Sequence, residues 1–289
     1  MSFSQYKKNH KAMSDKLGSS LNKMNKTGYQ QEEGFWSPTI DKAGNGWATI
    51  RFLPAVEGEE DPFVHLFSYS FQGPTGLYYI ENSRTTLAQG EPDPVDEMRA
   101  KLWHAKNEVE AKKYPRTKRY ISNILVIKDP EHPENNGKVF YYRYGKQIAD
   151  KISALYQPVD TDDAKIDAYN LYEGANFKLI INRKDKFPTY ENSKFEAPSP
   201  VAKTDKEIEE IYNQLRPLKP LVAEEKFKSY DELAKKLKRV LGGKPTDTVL
   251  QSTKAESHPS EELGELSSDD PTDDLDAVLK NIEENVLGR

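Results

Sequence analysis

Two runs rich in β-branched and aromatic residues, 120–128 and 138–144, are joined by a polar loop that closes with Asn136-Gly137. An Asn-Gly pair between such runs favours the tight turn whose twist matches paired strands, so this part of the chain is committed to an antiparallel hairpin. The same texture recurs on both sides of it. Phe63, His65, Phe67, Tyr69 and Phe71 alternate along one run, and 47–53 ends at Pro54. A further strand, 77–80, follows the turn Gly73-Pro74-Thr75-Gly76, and 176–183 is the last clear one. Helical spacing interrupts the strands. Met98, Leu102, Ala105 and Val109 mark a helix over 95–113, and Ile148, Ile152 and Leu155 another over 146–156. Residues 206–215 stop before Pro217, and 229–241 run into Gly242-Gly243, a helix stop. The order predicts an α+β fold. A mostly antiparallel body, curled into a small Greek-key barrel, carries an inserted subdomain around 65–113 and is followed by C-terminal helices.

The 289 residues include no cysteine, which excludes disulfides, thiol catalysis and cysteine-ligated zinc or iron–sulfur sites. No run approaches the roughly 20 apolar residues of a membrane span, and Met1-Ser2-Phe3-Ser4-Gln5 lacks the apolar region of a secretory signal, so a soluble protein with no membrane partner is expected. The net charge of −5 conceals a segregation of charge. Residues 251–289 hold 11 acidic residues against Lys254, Lys280 and Arg289, a net of −8. The first 26 residues hold six lysines against Asp15, a net of +5. This layout suggests a body that binds polyanions, with an acidic interaction tail. The expected division is a basic arm over 1–26, a core over 27–245 and a largely disordered acidic tail over 246–289. In the arm, Phe3, Tyr6, His10, Met13 and Leu17 share a helical face among Lys7, Lys8, Lys11 and Lys16, as in a docking helix. In the tail, Asp273 is placed to cap a helix with Leu275, Leu279, Ile282 and Val286 on one face, able to fold against a partner.

Catalysis is hard to assemble from these residues. His10, His65, His104, His132 and His258 are scattered, and no nucleophile elbow, phosphate-cradling glycine loop or HExxH helix is present. Gly44-Asn45-Gly46 reads as a turn. Asp160, Asp162 and Asp163 suit a magnesium-dependent nuclease or, more simply, a solvated loop. Interleaved rings and cations are a stronger pattern. Lys112-Lys113-Tyr114-Pro115-Arg116-Thr117-Lys118-Arg119-Tyr120 sets five cations around two tyrosines. Tyr141-Tyr142-Arg143-Tyr144-Gly145-Lys146 repeats the theme on a strand, and Lys184-Asp185-Lys186-Phe187-Pro188-Thr189-Tyr190 in a turn after one. Single-strand bases stack on exposed rings while Lys and Arg neutralise phosphates; a duplex reader needs an element that reaches base edges, and none is evident. For any single tyrosine the simpler reading is a half-buried strand residue with its hydroxyl at the surface. Three clusters of one composition favour the single-strand reading.

The chain resembles the single-stranded DNA-binding, helix-destabilising proteins of T-even-type bacteriophages. The resemblance is carried by Lys42-Ala43-Gly44-Asn45-Gly46 with Ile50-Arg51-Phe52-Leu53-Pro54, and by Asn123-Ile124-Leu125-Val126-Ile127-Lys128-Asp129-Pro130. It continues through Pro133-Glu134-Asn135, Gly137-Lys138-Val139-Phe140 and Tyr142-Arg143, then Glu173-Gly174-Ala175-Asn176-Phe177. Tyr190-Glu191, Ser193-Lys194-Phe195 and Phe227-Lys228-Ser229 complete the collinear blocks between about 35 and 240. The resemblance implies an OB-type core with a positive, aromatic-lined cleft for single-stranded DNA. It implies self-association along the strand through the basic arm, with Lys7, Lys8 and Lys11 in that role. It also implies recruitment of phage replication and recombination proteins by the acidic tail, in the cytoplasm of the infected bacterial host. The DNA-facing positions it points to are Arg51, Tyr114, Arg116, Lys118, Arg119, Tyr120, Lys138, Tyr142, Arg143, Lys146, Phe187 and Tyr190.

One departure changes the chemistry. The best-known members of that family carry a structural zinc held by one His and three Cys. The corresponding positions here are Tyr69, Ser83, Asp93 and Asp96, so no structural zinc and no other cofactor are expected. The subdomain would then rest on apolar contacts of Phe67, Phe71, Tyr79, Met98, Leu102 and Trp103, with His65 and His104 as ordinary surface histidines. Two other functions fit parts of the sequence: a replication scaffold acting through its tail, and the nuclease built on the aspartates.

Overall fold

A computed structural model of the chain describes residues 33–87, 91–158, 164–184 and 187–243. The basic arm, the acidic tail and Asp160, Asp162 and Asp163 lie outside the described residues. Nine strands are found among those described: β1 (Phe35–Trp36), β2 (Gly46–Phe52), β3 (Phe63–Gln72), β4 (Tyr78–Asn82), β5 (Arg116–Lys128), β6 (Val139–Tyr144), β7 (Ala175–Lys184), β8 (Phe187–Thr189) and β9 (Lys194–Pro198). The helices are α1 (Pro94–His104), α2 (Glu108–Ala111), α3 (Lys146–Tyr156), α4 (Asp205–Tyr212) and α5 (Tyr230–Leu241). None of the described helices is long and apolar enough to cross a membrane.

The α+β expectation holds, but the barrel does not close. The strands form one sheet in the order β1-β6-β5-β2-β7-β8, with β3, β4 and β9 branching from it. The cause is the length of β5. Its first half pairs with β3 from Arg116 to Ser122, and its second half with β2 from Ile124 to Lys128. One strand therefore serves two neighbours along a single edge, and the sheet forks instead of wrapping round. β5 also begins four residues earlier than the sequence suggests, because its charged opening pairs with β3 from Arg116 onward. The single helix expected over 95–113 is two. Lys106 takes a left-handed backbone (φ 56°), and Lys106 and Asn107 donate backbone hydrogen bonds to Trp103 and Leu102, which ends α1 before α2 starts.

Three apolar clusters hold the described chain. The largest gathers Trp36, Ile50, Phe52, Ile124, Tyr142, Tyr144, Ile148, Phe177 and Leu179 on one side of the sheet. Leu53, Leu125 and Val139 form a smaller one on the other side, against Ile211 and Leu215. The subdomain has its own: Tyr69, Phe71, Tyr79, Val95 and Tyr114 pack with Leu233, Leu237, Val240 and Leu241 of α5. Of the apolar contacts expected there, Phe71 and Tyr79 are buried and Met98 and Leu102 pack alongside. The helix that completes the cluster comes from the far end of the chain. Its stripe Leu233, Leu237, Val240 and Leu241 follows helical spacing, and its start is a capping box between Ser229 and Glu232. Gly242 ends it in the left-handed conformation (φ 74°) that favours glycine. At Gly73 a side chain would collide with the Val240 carbonyl, so glycine lets β3 approach the helix end closely.

Candidate nucleic-acid interface

Residues opposite one another in antiparallel strands point to the same side of a sheet. The β3–β5 register sets Phe63 against Ser122, His65 against Tyr120, Phe67 against Lys118 and Tyr69 against Arg116. Phe63, His65, Phe67, Arg116, Lys118 and Tyr120 therefore share one face. At one end this face continues into the main core, where the Tyr120 ring stacks on Tyr144 at 5.6 Å and meets Phe63 edge-on at 5.8 Å. At the other end it passes beneath α1. In between, His65 is exposed while Phe63, Phe67, Arg116, Lys118 and Tyr120 are half-buried. The cations lie among the rings. The Arg116 guanidinium sits 4.3 Å from the centre of Phe67, and Lys118 Nζ lies 5.7 Å from Phe67 and 5.3 Å from Tyr120. Partial burial, with the Lys118 charge beside it, holds His65 below the usual histidine range, so the ring contributes as a neutral group at neutral pH.

The strip of rings and cations ends at a polar cluster under α1. Asp93 caps that helix, accepting from the backbone N–H groups of Val95 (2.9 Å) and Asp96 (3.4 Å), and also from Arg84 (3.2 Å). Burial and the neighbouring Asp96 push its carboxyl up to about 6. Asp96 accepts from the hydroxyls of Tyr69, Ser83 (3.1 Å) and Thr85 (3.3 Å) and from Arg116 Nη1 (3.4 Å). Arg99 Nη1 lies 3.9 Å from the same carboxylate. The four positions that correspond to zinc ligands thus do converge, yet they do not fit a zinc ion. Their oxygens are already engaged with donors, two guanidiniums stand beside the carboxylate, and neither phenol nor serine hydroxyl is a usual ligand. Among the described residues no group of three or more His, Asp or Glu is placed to hold a metal.

The structure brings Arg116, Lys118 and Tyr120 together and separates other expected residues from them. Arg51 is fully buried on the opposite side of β2, where its guanidinium donates to the carbonyls of Asn170 (2.7 Å) and Ser199 (3.0 Å) and burial lowers it to about 10. Tyr142, 3% exposed, is a core ring against Trp36 and Phe52. Tyr114 is buried edge-on to Phe71 in the subdomain, with its hydroxyl donating to Glu110 and its acidity pushed to about 12 by burial and that carboxylate. Arg119 and Arg143 alternate onto the other face of the sheet, where Arg119 is buried and Arg143 stacks over Phe35 at 4.7 Å. Lys138 is exposed at the far end of the β5–β6 hairpin, six residues or about 20 Å along the strand from Tyr144. The structure thus buries Arg51, Tyr114, Arg119 and Tyr142, and places Arg143 and Lys138 away from the β3–β5 face. Lys146 opens α3 and donates to Asp150, the next side chain, Gln147, accepts from the Tyr190 backbone N–H, and Phe187 lies half-buried in β8. Sequence reasoning missed Phe63 and Phe67 as site residues. Their alternation with His65 was the available signal, since it fixes the face they share with β5.

A second groove, of about 570 Å³, lies on the outer face of β2 and β7. It is lined by Trp47, Ile40, Ile180 and Lys178, and Lys128 stands 5.1 Å from the exposed Trp47 ring.

The described residues thus form an α+β sheet protein with aromatic rings and cations gathered on one face. The chain belongs to the gp32 DNA binding protein like family, whose sequence profile matches residues 44–241. It is similar to the single-stranded DNA-binding protein of Enterobacteria phage T2, 39% identical over 227 residues that cover 75% of this chain and 74% of the relative. The protein of the same name from Enterobacteria phage T4 is 38% identical over 226 residues, 75% and 73% of the two chains. A third, from Escherichia phage SV14, is 42% identical over 72 residues, a quarter of this chain.

Proposed function

We propose that the chain binds single-stranded DNA on the β3–β5 face, with little sequence preference. In this role it coats transient single strands during phage DNA replication, recombination and repair in the cytoplasm of the infected bacterial host. One observation carries the reading: the Phe63, Phe67 and Tyr120 rings alternate with Arg116 and Lys118 on a single open face. Each stacked base is worth about 1–3 kcal/mol, and each cation releases counterions from the backbone. The names of the phage relatives support the same reading. Lys146, Phe187 and Tyr190 extend the path beyond Tyr120. The basic arm, through Lys7, Lys8 and Lys11, links neighbouring copies along the strand, and the acidic tail over 246–289 recruits replication and recombination proteins. The activity is binding, with no cofactor and no bond made or broken.

The test is a fluorescence titration with poly(dT) and with duplex DNA at several salt concentrations. Quenching of tyrosine and tryptophan is expected to be tighter with the single strand and to fall steeply with salt. Equal affinity for duplex and single strand would refute the reading. Loss of a cooperative isotherm on removal of residues 1–17 would support the role of the arm.

A further inference from the structure

We infer that Asp96 is a positioning residue of the single-strand face: its carboxylate, fixed by three hydroxyl donors, clamps Arg116 over Phe67 and so ties the subdomain to the binding strip. The inference rests on the functional reading above. Asp96 itself lies in the first turn of α1, at the end of the face. It is held by Tyr69 from β3, by Ser83 and Thr85 from the turn after β4, and by its own helix, whose start Asp93 caps. These attachments come from separate segments of the chain, so the carboxylate has little freedom.

Arg116 meets this fixed point through Nη1 at 3.4 Å while its guanidinium plane covers Phe67 at 4.3 Å. Both side chains are part-buried, Arg116 at 26% exposure and Asp96 at 19%, so the contact is less screened by water than an ordinary surface ion pair. A guanidinium carries five N–H donors in a rigid fork. One is spent on Asp96, and the remainder of the fork is held in a set orientation beside the rings. A phosphate arriving with a base on Tyr120 then meets a cation that loses little freedom on binding. Four donors around Asp96 satisfy its charge locally and weaken its repulsion of the strand. The cluster also links the subdomain segments without a metal.

The test compares the wild type, Asp96→Asn, Arg116→Ala and the double variant by poly(dT) titration at several salt concentrations, with thermal melting alongside. Each single substitution is expected to weaken binding about five- to tenfold, and the double variant to bind no more weakly than Arg116→Ala alone. Losses that multiply in the double variant, or wild-type binding by Asp96→Asn, would overturn the inference. Where Asp96→Asn does not fold, Arg116→Lys serves, since it keeps the charge but loses the fork. Weaker binding at unchanged melting temperature supports the clamp, and wild-type affinity overturns it. A wild type that does not prefer poly(dT) to duplex overturns the functional reading itself, and that outcome is visible before any variant is compared.

Discussion

Both faces of β5 carry cations, and those cations have opposite fates. One carries Arg116, Lys118 and Tyr120, half-buried beside open rings. The other carries Thr117, Arg119 and Ile121, with Arg119 buried and Arg143 of β6 drawn onto Phe35. Cations and aromatic rings stand on both. What separates them is covering. The first face passes between the main core and the subdomain, while on the second the Phe35 ring of β1 lies 5.3 Å from Tyr141 and Arg216 stacks over the same ring at 5.8 Å. A basic-aromatic run in sequence marks a strand with two possible binding faces, and the neighbours decide which one remains accessible.

The largest effect that would break this comparison lies in stability. Tyr142→Ala is expected to cost about 3–5 kcal/mol in denaturant unfolding, because the ring fills the main core. Tyr120→Ala, opposite Tyr144 yet half-exposed, is expected to lower poly(dT) affinity by about 1–3 kcal/mol with a much smaller loss of stability. The reverse ranking would mean that the strand runs through the core face. A smaller effect concerns pH. Asp129 is buried, which raises its pKa, but hydrogen bonds from the Trp36 indole (2.8 Å), Asn135 and the His132 backbone outweigh burial and lower it overall. A depressed carboxylate stabilises the fold above its unfolded pKa, about 3.9, and loses that contribution as pH falls through the folded value. The stability gap between wild type and Asp129→Asn is therefore expected at neutral pH and should close in acid. Subtler still, Lys118→Ala should reduce the slope of log affinity against log salt by about one, while Arg119→Ala leaves it unchanged. The smallest expected effect is none: a chelator should leave the melting temperature where it was, since the oxygens of Asp96 are already engaged with hydroxyl and guanidinium donors.

Much of the face was legible in the sequence, and its limits are physical. Lys118 and Tyr120 could be placed because strand alternation fixes direction once the hairpin is recognised. Tyr142 could not, because its burial depends on Trp36, in a stretch with no strand texture before it packs beside β6. Arg51 is hidden by the carbonyls of Asn170 and Ser199, more than a hundred residues downstream. Tyr114 sits in a cluster finished by α5. In each case composition marked the residue and long-range covering removed it from the surface. The open barrel has the same origin. Strand pairing was readable, but the length over which β5 shares its edge between β2 and β3 was not.

The helix that closes the subdomain has a consequence for the order of events during synthesis. Phe71 and Tyr79 wait for Leu237 and Val240, about 160 residues later in the chain, and until those emerge the apolar side of β3 and β4 is covered only in part, by residues such as Val95 and Tyr114. Contacts of such separation are slow to form and leave sticky surface exposed meanwhile. A ribosome stalled before residue 230 would hold a chain with its sheet paired and its subdomain unsealed, so Asp96 and the arginine it holds fall into place among the last parts of the fold.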